Sequence, residues 1–218
     1  QVDGVEAIVL GGSRARGTHT ATSDVDLGIY YDPNHPLDLA ALTKIATALD
    51  DQQRPDLLTP IGGWGPWING GGWLTISSTP VDFLYRDLTK VAQVIAACHA
   101  GQLEVAYQPG HPHAFVSSIY MGEVAVCRSL WDRHGRLAAL KAQTIPYPRA
   151  LQQALIQRFA WEADFSLQTA HKAAGRGDVA YVAGCAFRSV ACLLQTLFAF
   201  NEQYWLNEKG AVALAKTF

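Results

Sequence analysis

The sequence predicts an α+β protein: a mixed sheet with flanking helices in the N-terminal half, followed by a C-terminal α-helical bundle. Three observations carry that prediction. Short apolar runs bounded by turn residues occupy the N-terminal part, as buried strands do. After Pro109-Gly110-His111-Pro112 the apolar spacing becomes helical almost to the end. The 218 residues are 49% hydrophobic and 17% charged, too apolar for a disordered chain and long enough to bury a core without disulfide or metal staples.

Taken in order, Val5–Leu10 is an apolar run ending in Gly11-Gly12, a strand leading into a tight turn. Val25–Tyr31 is a second strand, stopped by Asp32-Pro33. Residues 37–49 place Leu37, Ala41, Ile45 and Ala48 on one helical face. A glycine- and tryptophan-rich stretch fills 60–73. Residues 73–77 and 81–85 read as paired strands joined near Ser78-Thr79-Pro80, and 89–100 as a helix. Helices are expected over 115–127, 133–143, 149–173 and 178–200, with a further one over 208–216. The change of period divides the chain into a domain over 1–112 and a helical bundle over 113–218. The boundary falls between 110 and 148, and Pro146 and Pro148 mark a later joint.

Seventeen Lys and Arg against nineteen Asp and Glu give a net charge of −2, which argues against a protein that lives on a polyanion. The balance is uneven: −4 over residues 1–145 and +2 over 146–218. Cys98, Cys127, Cys185 and Cys192 form no Cys-x-x-Cys pair and read as buried thiols of a reducing compartment, so a cytoplasmic location is expected. Residues 180–200 are broken by Arg188, Ser189, Gln195 and Thr196 and read as a buried helix rather than a membrane span. The chain opens on Gln1 almost directly at a strand, with no basic-then-apolar leader, and residues upstream of it are expected.

The chemistry concentrates in Gly11-Gly12-Ser13-Arg14-Ala15-Arg16-Gly17 and Ser23-Asp24-Val25-Asp26-Leu27. On a strand, residues two apart point to the same side, so Asp24 and Asp26 project together. Two carboxylates held that close repel, and a hard divalent cation such as Mg²⁺ is the natural partner. The glycine turn lets the backbone approach a ligand and offers amide N–H groups to an anion, and Ser13 adds a hydroxyl. A phosphate cradle beside a carboxylate pair describes a nucleotide–Mg²⁺ site. Asp82, in the apolar run Pro80-Val81-Asp82-Phe83-Leu84, is a third acid. If its strand lies beside Val25–Tyr31, three acids meet as a two-metal phosphoryl or nucleotidyl transfer site requires.

Gly12-Ser13, then Asp24-Val25-Asp26, then Val81-Asp82-Phe83, in that order, resembles the DNA polymerase β-like nucleotidyltransferase superfamily. The motifs cover residues 5–86. In outline only, the helical half is similar to the C-terminal domains of small bacterial antibiotic-type nucleotidyltransferases. The resemblance implies MgATP or another nucleoside triphosphate, with Asp24 and Asp26 holding two metal ions. Asp82 would ligate one of them and help deprotonate an acceptor hydroxyl. Gly12, Ser13, Arg16 and Ser23 are the candidate triphosphate contacts near the turn, and Lys172 and Arg188 those of the helical half.

Other readings stay open beside these. The glycine turn is neither a P-loop nor a dinucleotide fingerprint. The tryptophans of 60–73 either stack on a base or on a flat or sugar-like acceptor, or they close the core beneath a hairpin. Arg188 needs an anion, and Glu162, Asp178 or Glu208 would serve as well as a phosphate. Lys172 also suits a helix C-terminus, and Arg14 and Arg16 also read as surface residues. Glu123, Glu162 and Glu208 are either acceptor-side bases or pairing residues, and the histidines show no ligand spacing. The expected activity is Mg²⁺-dependent nucleotidyl transfer to a hydroxyl of a small molecule, an antibiotic being one candidate, without nucleic acid or membrane as partner. The alternatives are an AMPylating-type enzyme acting on protein, and a non-catalytic nucleotide-binding or antitoxin-like module.

Overall fold

A computed structural model describes residues 2–218. Its elements in chain order are β1 (Val5–Leu10), α1 (Gly12–Arg16), β2 (Val25–Tyr31), α2 (Leu39–Leu49), β3 (Gly71–Ile76), β4 (Thr79–Asp87) and α3 (Leu88–His99). Then follow β5 (Val105–Ala106), β6 (Phe115–Val116), α4 (Ile119–Val126), β7 (Arg128–Asp132) and α5 (Arg136–Ala142). The chain closes with α6 (Arg149–Ala174), α7 (Val179–Phe200) and α8 (Ala211–Ala215). This is the expected α+β architecture. It forms two compact units, one made of the residues up to Gln93 with Glu123–Gln143, the other of Val94–Gly122 with Thr144–Phe218.

Each unit is thus drawn from two separate stretches of the chain. The cause is β7, a strand the sequence does not announce. It pairs antiparallel with β1, Ile8 opposite Trp131 and Leu10 opposite Arg128, and carries 123–143 back to the sheet. The helix expected over 115–127 is also shorter, for a separate reason. Phe115 and Val116 pair with Ala106 and Val105, and α4 begins only after Ser117-Ser118. Its end is closed by Lys141, whose Nζ donates to the carbonyls of Val124, Ala125 and Cys127. That satisfies orphan carbonyls of the last turn and lets the chain turn into β7.

The sheet of the first unit runs β3-β4-β2-β1-β7. β2 and β4 are parallel, with α2 and β3 between them in sequence; the other pairings are antiparallel. Alternation decides the two faces. Ile29 and Tyr31 on β2, Val81, Phe83 and Tyr85 on β4, and Leu74 on β3 pack with Leu37, Leu42 and Ala46 of the α2 segment. Asp26 and Asp82 stand on the opposite face. Asp38 caps α2 by accepting from the Ala41 amide, and buried Asp50 ends it. Asp50 accepts from Arg54 and from the Thr75 amide, and the Arg54 guanidinium holds its carboxyl well below the usual carboxylate range.

Arg86 of β4 is buried and makes a two-pronged ion pair with Glu123, with both contacts 2.7 Å. Arg86→Ala should lower the unfolding free energy by about 3 kcal/mol, because Glu123 loses the cation that offsets its desolvation. Denaturant unfolding with an unchanged m-value would show this; a loss of only a few tenths would mean that the pair contributes nothing.

In the second unit α6 and α7 pack against each other through a short connection. Asp178 caps α7 by accepting from the Tyr181 amide. Ala191, Leu194 and Phe198 of α7 form a cluster with Trp205 and Ala211. The expectation of a buried helix holds for this face only. By length and composition α7 is apolar enough to cross a membrane, and Val190, Leu193 and Phe200 are exposed. Its Arg188 lies against Glu162 of α6, donating from Nε and Nη2, and donates from Nη1 to the His113 carbonyl.

His113 is buried beside this pair, and burial, helped by the Arg188 charge, pushes its pKa down to about 4 from 6.5. The unfolded chain takes up this proton first as pH falls. Its stabilising contribution is thus complete above about 6.5 and is lost through the window down to about 4. The folding equilibrium should fall roughly tenfold per pH unit inside that window. His113→Asn should flatten the slope; equal slopes in the two proteins, measured by denaturant midpoints, would contradict it.

Candidate functional site

The site is assembled at one end of the sheet from three consecutive strands. Parallel pairing of β2 and β4 sets Asp26 directly beside Asp82, so both carboxylates leave the sheet on the same side. Asp24, two residues before Asp26, joins them. One carboxylate oxygen from each of Asp24, Asp26 and Asp82 lies within 4.8 Å of the others. Asp24 is exposed, and the other two are half-buried. The condition the sequence placed on Asp82, a strand next to Val25–Tyr31, is what the sheet shows.

The glycine turn closes over this cluster. The Gly11 amide donates to the Asp26 carbonyl at 2.8 Å, which ties the end of β1 to the acid. Gly12 has φ +57, and a Cβ there would stand 1.7 Å from Oδ2 of Asp26 and 2.6 Å from its Cγ. No other residue leaves room for the carboxylate, so Gly12 is required by contact as well as by backbone conformation. Arg14 has a role that the sequence did not disclose. Its Nε donates to the Asp24 carbonyl and its Nη2 to the Ser23 carbonyl, so it clamps the loop that presents Asp24.

The remaining candidates are placed as follows. Ser13 lies in α1, and its carbonyl accepts from the Thr18 amide. Arg16 is exposed at the end of α1. The Ser23 hydroxyl accepts from the Thr20 amide at 2.9 Å, so it braces its own loop. Lys172 is exposed near the end of α6, in the second unit. Arg188 has its anion in Glu162, the ion-pair reading, and its guanidinium is occupied within the second unit. Glu162 is thereby held below the ordinary glutamate range by Arg188 and is a pairing residue. Glu123 pairs with Arg86. Glu208 accepts from the His113 amide.

The tryptophan-rich stretch divides between the two readings left open for it. Trp67 is buried, with Lys90 Nζ 4.0 Å from its ring centroid and bonded to the Pro66 carbonyl. Trp64 and Trp73 stack on each other at 4.5 Å with 24° between planes, and Trp73 is 62% exposed. An apolar cavity of about 360 Å³, lined by residues such as Ile8, Leu27, Ile29, Leu42 and Phe83, opens on the opposite face of the sheet from the acids. With only apolar side chains around it, it cannot be where phosphate chemistry occurs.

A hard-oxygen triad on adjacent strands under a glycine turn is the arrangement expected of a nucleotide–metal site. Residues 1–65 match the nucleotidyltransferase domain family. The match to a nucleotidyltransferase domain is thus confined to the first 65 residues. The matched segment includes Gly12, Ser13, Asp24 and Asp26 and ends before β3 and β4, so Asp82 joins the set through the sheet pairing alone. Residues 116–209 match a domain of unknown function (DUF4037). No curated protein matches the chain. Among solved structures, a nucleotidyltransferase-like protein from Exiguobacterium sibiricum 255-15 is similar over 97% of this chain, with 12% identity and a TM-score of 0.43. The chain spans 56% of that protein. The nucleotidyltransferase domain family generally uses a nucleoside triphosphate with a divalent metal, and the acid cluster fits such an ion by its donor chemistry.

Proposed function

We propose that the nucleotidyltransferase domain transfers a nucleoside monophosphate from ATP or another nucleoside triphosphate to a hydroxyl of a small molecule, with Mg²⁺ as the metal and pyrophosphate as the leaving group. The observation that carries the reading is the convergence of Asp24, Asp26 and Asp82 beneath Gly12. Asp24, Asp26 and Asp82 would hold the Mg²⁺ ions, whose bound charge would offset negative charge on the phosphates and favour departure of pyrophosphate. The backbone of the Gly11-Gly12 turn and Ser13 face the triphosphate, where close approach without a Cβ is needed. Asp82 takes the proton of the acceptor hydroxyl. The hydroxyl oxygen then forms its bond to the α-phosphorus, and the bond from that phosphorus to the bridging oxygen breaks with its electron pair going to pyrophosphate.

The near-neutral charge supports a small acceptor over a nucleic acid, since no large surplus of Lys and Arg is available for a phosphate backbone. Arg188 is paired with Glu162, so a triphosphate would have to compete with that carboxylate for it. The reading is tested by supplying the protein with Mg²⁺, each labelled triphosphate and a panel of hydroxyl acceptors. Pyrophosphate release that requires both metal and acceptor is the expected result; none with any combination would contradict it.

A further inference from the structure

Counting across the sheet at the level of the acids gives Gly11 at the end of β1, Asp26 on β2, Asp82 on β4 and Trp73 on β3. Gly11 donates to Asp26, Asp26 pairs with Asp82, and Asp82 is the antiparallel partner of Trp73. Directly opposed residues of an antiparallel pair share a face, with Cβ atoms about 5 Å apart. The exposed Trp73 ring therefore borders Asp82 on its side away from the glycine turn, and Trp64 stacks on it.

We infer that the Trp64–Trp73 stack is the acceptor subsite, and that it takes the flat C–H face of a pyranose-type sugar ring bearing the hydroxyl to be modified. The inference rests on the reading that the triphosphate occupies the Gly12 side. Asp26 is covered by that turn, which leaves the flank of Asp82 facing β3 for the second substrate. Indole presents an electron-rich face to polarised C–H bonds, and the carboxylates next to it accept hydrogen bonds from ring hydroxyls. An apolar plate with acceptors at its edge matches a sugar on both counts. A nucleobase could stack on the same indole, and it is the competing occupant that analogue binding by the Trp73 variants distinguishes.

The platform is held in place before any ligand arrives. Lys90 fixes the loop at Pro66 and Trp67, Asn69 Nδ2 donates to the Tyr31 hydroxyl, and Thr59 and Gly71 bond each other through backbone and side chain. Arg54 donates to the Trp73 carbonyl, anchoring the strand beneath the ring. Little ordering remains to be done when the acceptor binds.

The test uses the full chain with Trp73→Ala and Trp73→Phe. Binding of a non-hydrolysable ATP analogue with Mn²⁺ is measured first, then pyrophosphate release against methyl glucoside, methyl galactoside, glucosamine and tyrosinamide. Both variants should bind the analogue as the parent does. Trp73→Ala should raise KM for the accepted pyranoside about tenfold, and Trp73→Phe should restore most of the loss. Weakened analogue binding in Trp73→Ala would assign the stack to the base and overturn the inference. So would a parent that binds the analogue yet uses no pyranoside, or one whose Trp73-dependent acceptor is tyrosinamide. A parent that binds no analogue at all would instead overturn the nucleotidyl-transfer reading itself.

Discussion

Asp26→Asn should reduce pyrophosphate release at least ~10³-fold and leave the fold intact. Asp26 sits in the middle of the acid row, beside Asp82 on one side and under the glycine turn on the other. Asparagine keeps the shape and the strand pairing, and the Asp26 carbonyl still accepts from the Gly11 amide. What changes is one of three negative charges held within 4.8 Å. Without that charge the remaining pair attracts a divalent ion far less, and several kcal/mol of charge stabilisation in the transition state is lost. The same change should leave the metal-free thermal midpoint equal to or above that of the parent, because a like-charge repulsion is removed. Added Mg²⁺ should then raise the parent's midpoint and not the variant's. A coupled pyrophosphate assay and paired melting curves check both halves. Full turnover in Asp26→Asn would remove the metal assignment.

Gly12→Ala should be nearly as damaging, and for a steric reason. Its Cβ would meet Oδ2 of Asp26 at 1.7 Å, well inside any tolerable contact, at a backbone φ of +57. Either the carboxylate rotates away from the cluster or the turn lifts off it, and both spoil the site. Gly17 supplies the control. It too has a left-handed φ, +74, but a Cβ there meets nothing within 4 Å. Each substitution carries about 1–2 kcal/mol of backbone strain, so both variants should be destabilised. Only Gly12→Ala should lose activity, by roughly 100-fold or more for a misplaced carboxylate. Equal rates in the two variants would show that the turn does not hold Asp26 in its working position.

The strands that carry the acids could be read because each is a short apolar run with turn residues at its ends, and Asp82 stood out as an acid in such a run. That β2 and β4 are neighbours could be expected only through the chemistry, since nothing local dictates a parallel pairing between residues as far apart in sequence as Asp26 and Asp82. The place of Trp73 was missed for a related reason. The hairpin turns at Ser77-Ser78, both with positive φ, so Ile76 faces Thr79 and Trp73 faces Asp82. Serine is an unusual choice for such a turn. It is held from a distance by Asp51, whose carboxylate accepts from both serine amides. A reading that puts the turn at 78–80 loses the register and with it the neighbour of the acid. β7 escaped for want of a period, as five residues with two charges and mostly exposed side chains signal a strand only once β1 is there to pair with. Arg188 shows the opposite case, where the sequence supplied both an anionic ligand and Glu162 as partners and only packing could choose.

The account stands on the acids acting together as a metal site in a nucleotidyltransferase domain. The most direct measurement is anomalous diffraction from crystals grown with Mn²⁺ and a non-hydrolysable ATP analogue. An anomalous peak coordinated by Asp24, Asp26 and Asp82, with the triphosphate against Gly12 and Ser13, is the predicted result. A bound nucleotide with no peak at these carboxylates, or with its metal held elsewhere, would contradict it.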